Sequence, residues 1–447
     1  MPEQNVPDTC ILILLDGLGD RSHPQLGHRT PLQAAHTPYL DRLASLGGTG
    51  LYHATLFGQP LPSENAHFAI FGGMPEEFPG RGPLEALGAG LDLCPDDVAM
   101  LAHFAHLEPD NENRLILRHD KVSASPDEIR RLFDSLEDFE CDGVTLKLHP
   151  TNGMFSVLTM GGDVAPHITD TNPMVDGRFI PKVLPLAPYA DDPPTRRTAR
   201  ILTEYLKWAH RRLTDAPINR SRRASGDIPV NGLVTQRAGR LKPCLPMRTR
   251  YGLRGLSIAS GTIYAGLARF TGMDFLKVPD TDDPGADMVK RISLARERLG
   301  DYDFIHVHTK TPDQAAHSKD PDAKVRVIES LDRGLARSLE PLLEDDSVLL
   351  AVTADHSTPS CGKLIHSGEP VPLMFIGTGV RRDTVTSFDE ISVACGCLGA
   401  MRGPELLFTI LNYLDRARLV GIHDSPDPVE YWPGDHEPFI LDPKPQE

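Results

Sequence analysis

Short apolar runs recur along the chain, separated by stretches whose apolar residues repeat at helical spacing. The run 347–352 has no polar residue alternating along it, which is typical of a strand buried on both faces of a parallel sheet. Further strands are predicted at 10–15, 256–259, 304–308 and 372–377, and helices at 284–299 and 323–339. Strands and helices that alternate in this way predict an α/β fold, with a mostly parallel sheet covered by helices on both faces.

The middle of the chain has a different texture, with shorter strands, frequent turns and several prolines between Pro181 and Pro194. A chain of 447 residues is also too long for one simple core. We therefore expect segments 1–94 and 253–447 to form the α/β core, and 95–252 to form a smaller inserted α+β domain.

Arginines concentrate late in the predicted insertion, although the chain as a whole is acidic. They could bind an anionic substrate, or they could belong to a solvated loop. The residues are Arg211, Arg212, Arg220, Arg222, Arg223, Arg237 and Arg240.

Composition and charge exclude some classes of function. The apolar fraction of 40% and the charged fraction of 24% are ordinary for a globular enzyme, and a net charge of −16 argues against a general nucleic-acid binder. No stretch approaches the ~20 apolar residues of a membrane span, and residues 1–9 lack the basic region of a signal peptide. Seven scattered cysteines suit a reducing compartment, so a cytoplasmic location without membrane or nucleic-acid partners is expected.

Carboxylates stand directly after two of the predicted strands. Asp16 follows the run 10–15, and Asp355 with His356 follows the run 347–352. In open α/β sheets, ligand sites form outside the carboxyl ends of the strands, and an Asp–His pair can give a divalent metal one oxygen and one nitrogen. A surface carboxylate beside a structural histidine is the alternative for each position taken alone.

More residues of the same type follow later strands. Asp313 and His317 are four residues apart, so on a helix they share one face, and His366 comes shortly before the strand at 372. Together with Asp16, Asp355 and His356 they suit two divalent ions with mixed oxygen and nitrogen ligands, as in two-metal phosphoryl-transfer sites. His306 and His308 would point the same way from one strand, and we expect them to be packed or hydrogen-bonded rather than metal-bound.

Ser63 precedes a predicted helix, and two interpretations stay open. Its hydroxyl could be the N-cap of that helix, or it could lie at the helix N-terminus where free amides favour a phosphate group. Arg81, in the turn before the next short helix, is either a phosphate anchor or a surface charge.

In chain order, Asp16-Gly17, Ser63, the stretch 311–317, Thr353-Ala354-Asp355-His356 and His366 resemble the motifs of the alkaline phosphatase superfamily. The chain is most similar to the cofactor-independent phosphoglycerate mutases of archaeal type. The resemblance extends over nearly the whole chain and includes 29–35, 80–88, 169–173, 231–239 and 251–273.

The resemblance implies an alkaline-phosphatase-like core and a metal-dependent enzyme that interconverts 3-phosphoglycerate and 2-phosphoglycerate through a phosphoserine intermediate. It implies two divalent ions, with Mn expected and Zn, Co or Mg as alternatives, and a small phosphorylated metabolite as the partner. Ser63 would be the catalytic nucleophile. One ion would be held by Asp16, Ser63, Asp355 and His356, and the other by Asp313, His317 and His366. The substrate would be bound by Arg81, Asn231, Arg237 and Lys310.

Some substrate-orienting positions differ from the family pattern. Around the serine the family often has Gly-Ser-Asp, whereas this chain has Pro62-Ser63-Glu64. One alternative is therefore a phosphomutase or phosphohydrolase of the same superfamily that acts on another phosphorylated or phosphonate metabolite. A binding protein that keeps a structural metal centre is the non-enzymatic alternative.

Overall fold

The computed structural model describes residues 6–419 and 439–441. These residues form fourteen strands: β1 (Thr9–Leu15), β2 (Gly48–His53), β3 (Val98–Pro109), β4 (Leu115–His119), β5 (Phe139–Cys141), β6 (Val144–Asn152), β7 (Phe155–Gly161), β8 (Gly232–Arg240), β9 (Gly255–Ala259), β10 (Asp274–Lys277), β11 (Phe304–Thr309), β12 (Val348–Thr353), β13 (Val371–Ile376) and β14 (Gly399–Arg402). The α-helices are α1 (Pro31–Ala34), α2 (Pro38–Ala44), α3 (Ser63–Ile70), α4 (Arg81–Gly88), α5 (Pro126–Asp134), α6 (Pro193–Asp215), α7 (Pro217–Ser225), α8 (Met247–Tyr251), α9 (Thr262–Thr271), α10 (Pro284–Arg296), α11 (Thr311–His317), α12 (Pro321–Ser338), α13 (Glu340–Leu343) and α14 (Glu405–Tyr413).

The chain divides into two compact units. The first comprises the described residues of Met1–Gly72, Met247–Gly255 and Asp280–Glu447. The second comprises Gly73–Pro246 and Leu256–Pro279. The predicted boundaries at 94 and 252 stay a prediction.

A mostly parallel sheet forms the core of the first unit. Its strands lie in the order β11-β1-β12-β13-β2-β14. β1 pairs in parallel with both β11 and β12, β14 pairs in parallel with β2, and only β13 runs antiparallel to its two neighbours. The predicted fold class is therefore confirmed.

Burial explains why the strands of this sheet show no alternation of apolar and polar residues. Every residue of β1, β12 and β13 is buried, as expected for strands with both faces covered. α10 and α12 pack against each other, and a Cβ atom at Gly334 would lie 2.5 Å from the carbonyl oxygen of Gly285. The two helices that were predicted at 284–299 and 323–339 are thus close-packed helices of this unit.

The topology brings the predicted ligand residues to one edge of the sheet. β11, β1 and β12 are parallel neighbours, so their carboxyl ends meet. Asp16 follows β1, Asp355 follows β12, and Asp313 lies on α11, which begins two residues after β11 ends.

A buried lysine ties together the loops that follow β1 and β12. Lys324, from α12, is fully buried, and its Nζ donates to the carbonyl oxygens of Gly19 at 2.8 Å and Thr358 at 2.9 Å. It also lies 3.1 Å from Oδ2 of Asp20, a carboxylate that accepts a hydrogen bond from the hydroxyl of Ser360. These contacts fix the two loops relative to each other just beyond the sheet edge.

The second unit is built on an antiparallel sheet, in agreement with the predicted α+β domain. Its strands lie in the order β4-β3-β7-β6-β5, and β8 also pairs with β3. α6 packs over β8, and the core beneath includes the fully buried Phe104 and Tyr205. β9 and β10 pair in parallel.

The arginines of α6 and α7 serve different purposes. Arg222 is buried and donates to Glu128 at 2.6 Å, to Ser123 O and to Ile228 O, so it links elements of the second unit. Arg211 and Arg212 are exposed near the end of the 23-residue α6.

Across the described ranges 6–419 and 439–441, none of the helices has both the length and the apolar character that a membrane span requires.

We predict that Lys324→Met lowers the free energy of unfolding of the first unit by about 3–5 kcal/mol. The substitution leaves the buried carboxylate of Asp20 without its cationic partner. Thermal and urea unfolding measure the effect, with Arg326→Met as the control because the ion pair of Arg326 with Asp320 is exposed. Adding Asp20→Asn to Lys324→Met should recover part of the lost free energy of unfolding. If the destabilisations by the two single substitutions simply add in the double variant, Lys324 and Asp20 are not an interacting pair.

Candidate metal centre

The structure brings seven of the predicted residues together in the first unit. They lie just after the ends of β1 and β12, on the short helix α11, in the loop before β13 and at the first residue of α3. The residues are Asp16, Ser63, Asp313, His317, Asp355, His356 and His366.

The hydroxyl of Ser63 points into this group of residues. α3 begins at Ser63 with Pro62 as its N-cap, and no side chain caps the helix. Ser63 Oγ lies 3.0 Å from His356 Nε2 and 3.2 Å from Lys310 Nζ. The interpretation of Ser63 as an N-cap is therefore wrong, because Pro62 occupies that position and the Ser63 hydroxyl contacts His356 and Lys310 instead.

Four residues surround one point between the ends of β1 and β12. Nε2 of His356 lies 3.1 Å from Asp355 Oδ2, 3.7 Å from Asp16 Oδ1 and 3.0 Å from Ser63 Oγ. Oδ1 of Asp355 accepts hydrogen bonds from two backbone amides, those of Gly17 and His356, so Oδ2 is the oxygen that faces the group. One nitrogen and three oxygens from separate side chains thus converge, as they do around a single divalent ion.

A hydrogen-bond chain through Thr358 fixes the tautomer of His356. The hydroxyl of Thr358 donates to Asp313 Oδ1 at 2.8 Å, because a carboxylate can only accept. It therefore accepts from Nδ1–H of His356 at 3.1 Å, which leaves the lone pair of Nε2 directed at the carboxylates. Thr358 also connects this first group of ligands to Asp313.

Position 17 requires glycine, because the segments that carry Thr358 and Asp313 approach it closely. Gly17 has φ of +68°, and a Cβ atom there would lie 2.7 Å from both Thr358 Oγ1 and Asp313 Cβ. A larger residue would therefore separate the two carboxylate-bearing segments.

The second group of ligands is centred on Asp313. His317 Nε2 lies 3.3 Å from Asp313 Oδ2, and His366 Nε2 lies 3.6 Å from Asp313 Oδ1. Nδ1 of His366 donates to the carbonyl oxygen of Leu61 at 2.7 Å, so its Nε2 also keeps a lone pair for a metal. Asp313 and His317 both lie on α11, so they share one helix face as predicted.

Negative charge is concentrated in this site. Asp16, Asp313 and Asp355 are almost completely buried, and Lys310 Nζ lies 3.4 Å from Asp16 Oδ2 and 3.0 Å from Asp313 Oδ2. Burial opposes ionisation of Asp313, but the adjacent imidazoles of His317 and His366 and the charge of Lys310 hold its pKa below the ordinary value. Three ionised carboxylates among imidazole nitrogens are a donor set that fits divalent cations, because added positive charge offsets the cost of burying the anions.

Two histidines that sequence reasoning did not assign to the site contact it from the buried side. His67 Nδ1 lies 2.8 Å from the carbonyl oxygen of Ser63 and 3.3 Å from Asp355 Oδ2. His308 Nε2 lies 3.0 Å from Asp16 Oδ2, in line with the expectation of a hydrogen-bonded residue, and burial lowers the pKa of His308 to about 4. A signal existed for His67, since it is four residues after Ser63 on a helix and so lies on the same face.

The predicted substrate residues divide between the two units. Lys310 lies in the first unit, beside Ser63. In the second unit, Arg81 begins α4 and pairs with Glu85 at 3.2 Å, and the side-chain amide of Asn231 bonds to both backbone groups of Leu107. Arg237 lies in β8 with φ of +56°, its amide donating to Asp170 Oδ1 at 2.7 Å. Contact of these residues with a substrate stays a prediction.

Comparison with known proteins identifies the family. Residues 8–412 match the model of the metalloenzyme superfamily. A protein of Methanocaldococcus jannaschii named 2,3-bisphosphoglycerate-independent phosphoglycerate mutase 2 is 40% identical over 440 residues, covering 97% of this chain and 99% of that protein. A 2,3-bisphosphoglycerate-independent phosphoglycerate mutase of Methanopyrus kandleri is 36% identical, covering 92% and 97%. The chain belongs to the 2,3-bisphosphoglycerate-independent phosphoglycerate mutase family.

Solved structures agree with membership of this mutase family. A protein from Pyrococcus horikoshii, 31% identical, matches with a TM-score of 0.74 over 93% of this chain and 100% of that chain. A cofactor-independent phosphoglycerate mutase from Thermoplasma acidophilum, 29% identical, matches with a TM-score of 0.63 over 91% and 99%. The resemblance seen in the sequence and the prediction of a metal-dependent mutase are confirmed at the level of the family.

We predict that His317→Ala lowers the content of tightly bound divalent metal from about two ions per chain to about one. Asp313 and His366 alone would leave the second ion mostly water-bound. Metal analysis after dialysis against chelator measures the content. Gln314→Ala is the matched control, because Gln314 is exposed on the same helix and should leave the content unchanged. Equal metal contents in both variants would remove His317 from the ligands.

Proposed function

We propose that this protein interconverts 3-phosphoglycerate and 2-phosphoglycerate, with Ser63 carrying the phosphoryl group between the two positions. The names of the relatives support this activity. The observation that carries the assignment of Ser63 is its hydroxyl, which lies within hydrogen-bonding distance of both His356 and Lys310. A buried serine so placed beside a positive charge and two sets of metal ligands suits the role of a nucleophile.

The proposed ligands are those that converge in the structure. Asp16, Ser63, Asp355 and His356 would hold one ion, and Asp313, His317 and His366 the other. Mn is the ion we propose, with Zn, Co or Mg as substitutes, since the mixed oxygen and nitrogen donors accept each of them. When bound, the ions supply positive charge that lowers the pKa of the serine hydroxyl and offsets charge on the phosphoryl oxygens.

Residues of this chain prepare Ser63 for attack. Nζ of Lys310 donates a hydrogen bond to Oγ and so favours its ionised form. The position of Ser63 as the first residue of α3 fixes the direction of its side chain, and the contact with His356 restricts it further. Attack in line with the leaving oxygen requires such a fixed direction.

The reaction proceeds by two transfers. In the first, the bond from Ser63 Oγ to phosphorus forms as the bond from phosphorus to the C3 oxygen of the substrate breaks, which leaves phosphoserine and glycerate. In the second, the C2 oxygen of the retained glycerate attacks phosphorus and Ser63 leaves. Water must be kept out between the two transfers, because its attack on phosphoserine would release inorganic phosphate.

We propose that the second unit supplies residues that hold the glycerate. Arg81, Asn231 and Arg237 are the predicted contacts, and an arginine suits a carboxylate because its guanidinium binds in a bidentate manner. Arg237 is held in an uncommon left-handed backbone conformation at an irregularity in the pairing of β3 and β8. Strained residues of this kind cluster at functional sites, which supports the choice of Arg237.

We predict that Ser63→Ala abolishes turnover while metal binding persists, because the other proposed ligands are kept. The assay uses 3-phosphoglycerate with manganese and without bisphosphoglycerate. Acid quench of wild type with phosphoryl-labelled substrate should leave label on the peptide that contains Ser63. Ser318→Ala, at the exposed end of α11, is the control that should keep wild-type activity. Label elsewhere, or an active Ser63→Ala enzyme, would refute the assignment.

We predict that Arg237→Ala cuts turnover roughly ten- to hundredfold and releases inorganic phosphate at the expense of 2-phosphoglycerate. A charge-assisted contact is worth ~1.5–3 kcal/mol, and its loss lets the acceptor escape before the second transfer. Phosphorus NMR of the products measures the partition. Arg223→Ala, an exposed arginine of the same unit, is the control. Inorganic phosphate as the only product of the wild type would instead establish a hydrolase.

A further inference from the structure

Three buried histidines form a cluster beneath the metal centre. The rings of His67 and His308 have centroids 5.0 Å apart, those of His67 and His306 5.4 Å apart, and all three side chains are completely buried. His306 also packs edge-on against Phe71. Burying three imidazoles is costly unless their nitrogens make good contacts, so the cluster calls for a physical reason.

His67 connects the nucleophile to a metal ligand through one nitrogen. The carbonyl oxygen of Ser63 can only accept, so the 2.8 Å contact requires a hydrogen on Nδ1 of His67. The same nitrogen lies 3.3 Å from Asp355 Oδ2, the oxygen that faces His356. One N–H group therefore faces both the backbone of the nucleophile and the carboxylate beside it.

His308 contacts the other carboxylate through its opposite ring nitrogen. Nε2 of His308 lies 3.0 Å from Asp16 Oδ2, so it donates there, while Asp16 Oδ1 is directed towards His356 at 3.7 Å. The two oxygens of Asp16 are thus divided between the buried histidine and the proposed ion. Partners of this kind orient ligand carboxylates in metal sites.

We propose that His67 and His308 are positioning residues that orient Asp355, Asp16 and Ser63 for the metal centre through one defined nitrogen each, Nδ1 of His67 and Nε2 of His308. The inference rests on the ligand set of the proposed function. It predicts that what matters at each position is the location of the N–H donor rather than the bulk or the charge of the ring.

A third metal ion is the competing explanation of the cluster. Asp16, His67 and His308 each offer an atom that lies within 4.8 Å of the others. However, Nδ1 of His67 and Nε2 of His308 donate hydrogen bonds to Ser63 and Asp16, so an ion could bind only at the opposite nitrogen of each ring. The geometry favours hydrogen-bonded support, and metal stoichiometry distinguishes the two explanations.

The test exchanges each histidine for both of its amide isosteres. The side-chain nitrogen of Asn can occupy the place of Nδ1, and that of Gln the place of Nε2. His67→Asn should therefore keep the donor that His67→Gln loses, whereas His308→Gln should keep the donor that His308→Asn loses. Gln is closer to His in size at both positions, so packing alone would favour Gln in both cases.

The readouts are the dissociation constant for Mn²⁺ by titration calorimetry, the number of ions bound and the thermal midpoint of the metal-free protein. We expect His67→Gln and His308→Asn to bind Mn²⁺ about 10- to 100-fold more weakly than His67→Asn and His308→Gln. His306→Gln is the matched control from the same cluster and should stay within about twofold of wild type. The decisive result is tighter Mn²⁺ binding by His67→Asn than by His67→Gln, because packing alone would favour Gln at position 67.

If His67→Gln binds Mn²⁺ as tightly as His67→Asn, or more tightly, the proposal is overturned and packing explains the role of His67. Three ions per wild-type chain, with one lost in each His67 and His308 variant, would overturn it in favour of a third metal site. If cavity formation unfolds His67→Asn, His67→Gln decides alone, because wild-type affinity in a folded His67→Gln protein contradicts positioning. Since none of these readouts uses a substrate, they stand apart from any failure of the proposed mutase activity.

Discussion

Three carboxylates buried at one edge of a parallel sheet are the constraint on which the first unit depends. Asp16, Asp313 and Asp355 are withdrawn from water and lie close to one another, which is unfavourable without nearby positive charge. Lys310 contacts two of them, and divalent ions held between them and the imidazoles of the site would offset the rest. The buried negative charge that is unfavourable in the absence of cations would therefore also favour the binding of divalent ions.

Contacts between distant segments hold the charged groups in place. Lys324 ties the loop after β1 to the loop after β12, and Thr358 links His356 to Asp313 by a directed chain of hydrogen bonds. The absence of a side chain at Gly17 allows these segments to approach. Each of these residues serves the site without being one of its proposed ligands, so the metal centre depends on a larger set of residues than the motifs contain.

The predicted catalytic and substrate-binding residues are divided between the two compact units. The first contains every proposed metal ligand together with Ser63 and Lys310. Three of the four predicted substrate residues lie in the second unit. Among them, the amide of Asn231 is already bonded to the backbone of Leu107, whereas Arg237 is held by Asp170 in a strained conformation. The acceptor is therefore best investigated at Arg237.

The sequence alone determined the α/β class, the main strands of the first unit and six of the seven residues that converge, because each of these has a local signal. Strands buried on both faces appear as apolar runs, and the ligands follow strand ends or share one helix face, as Asp313 and His317 do. Tertiary structure alone decided the rest. Whether Ser63 caps its helix or faces His356 depends on a residue 293 positions away, and local sequence is the same in both cases. The roles of Thr358, Lys324 and His308 likewise arise from contacts that form only when β1, β11 and β12 lie side by side, so no spacing in the sequence reveals them. The spacing of His67 from Ser63 indicates a shared helix face, but its contact with Asp355 is a tertiary one.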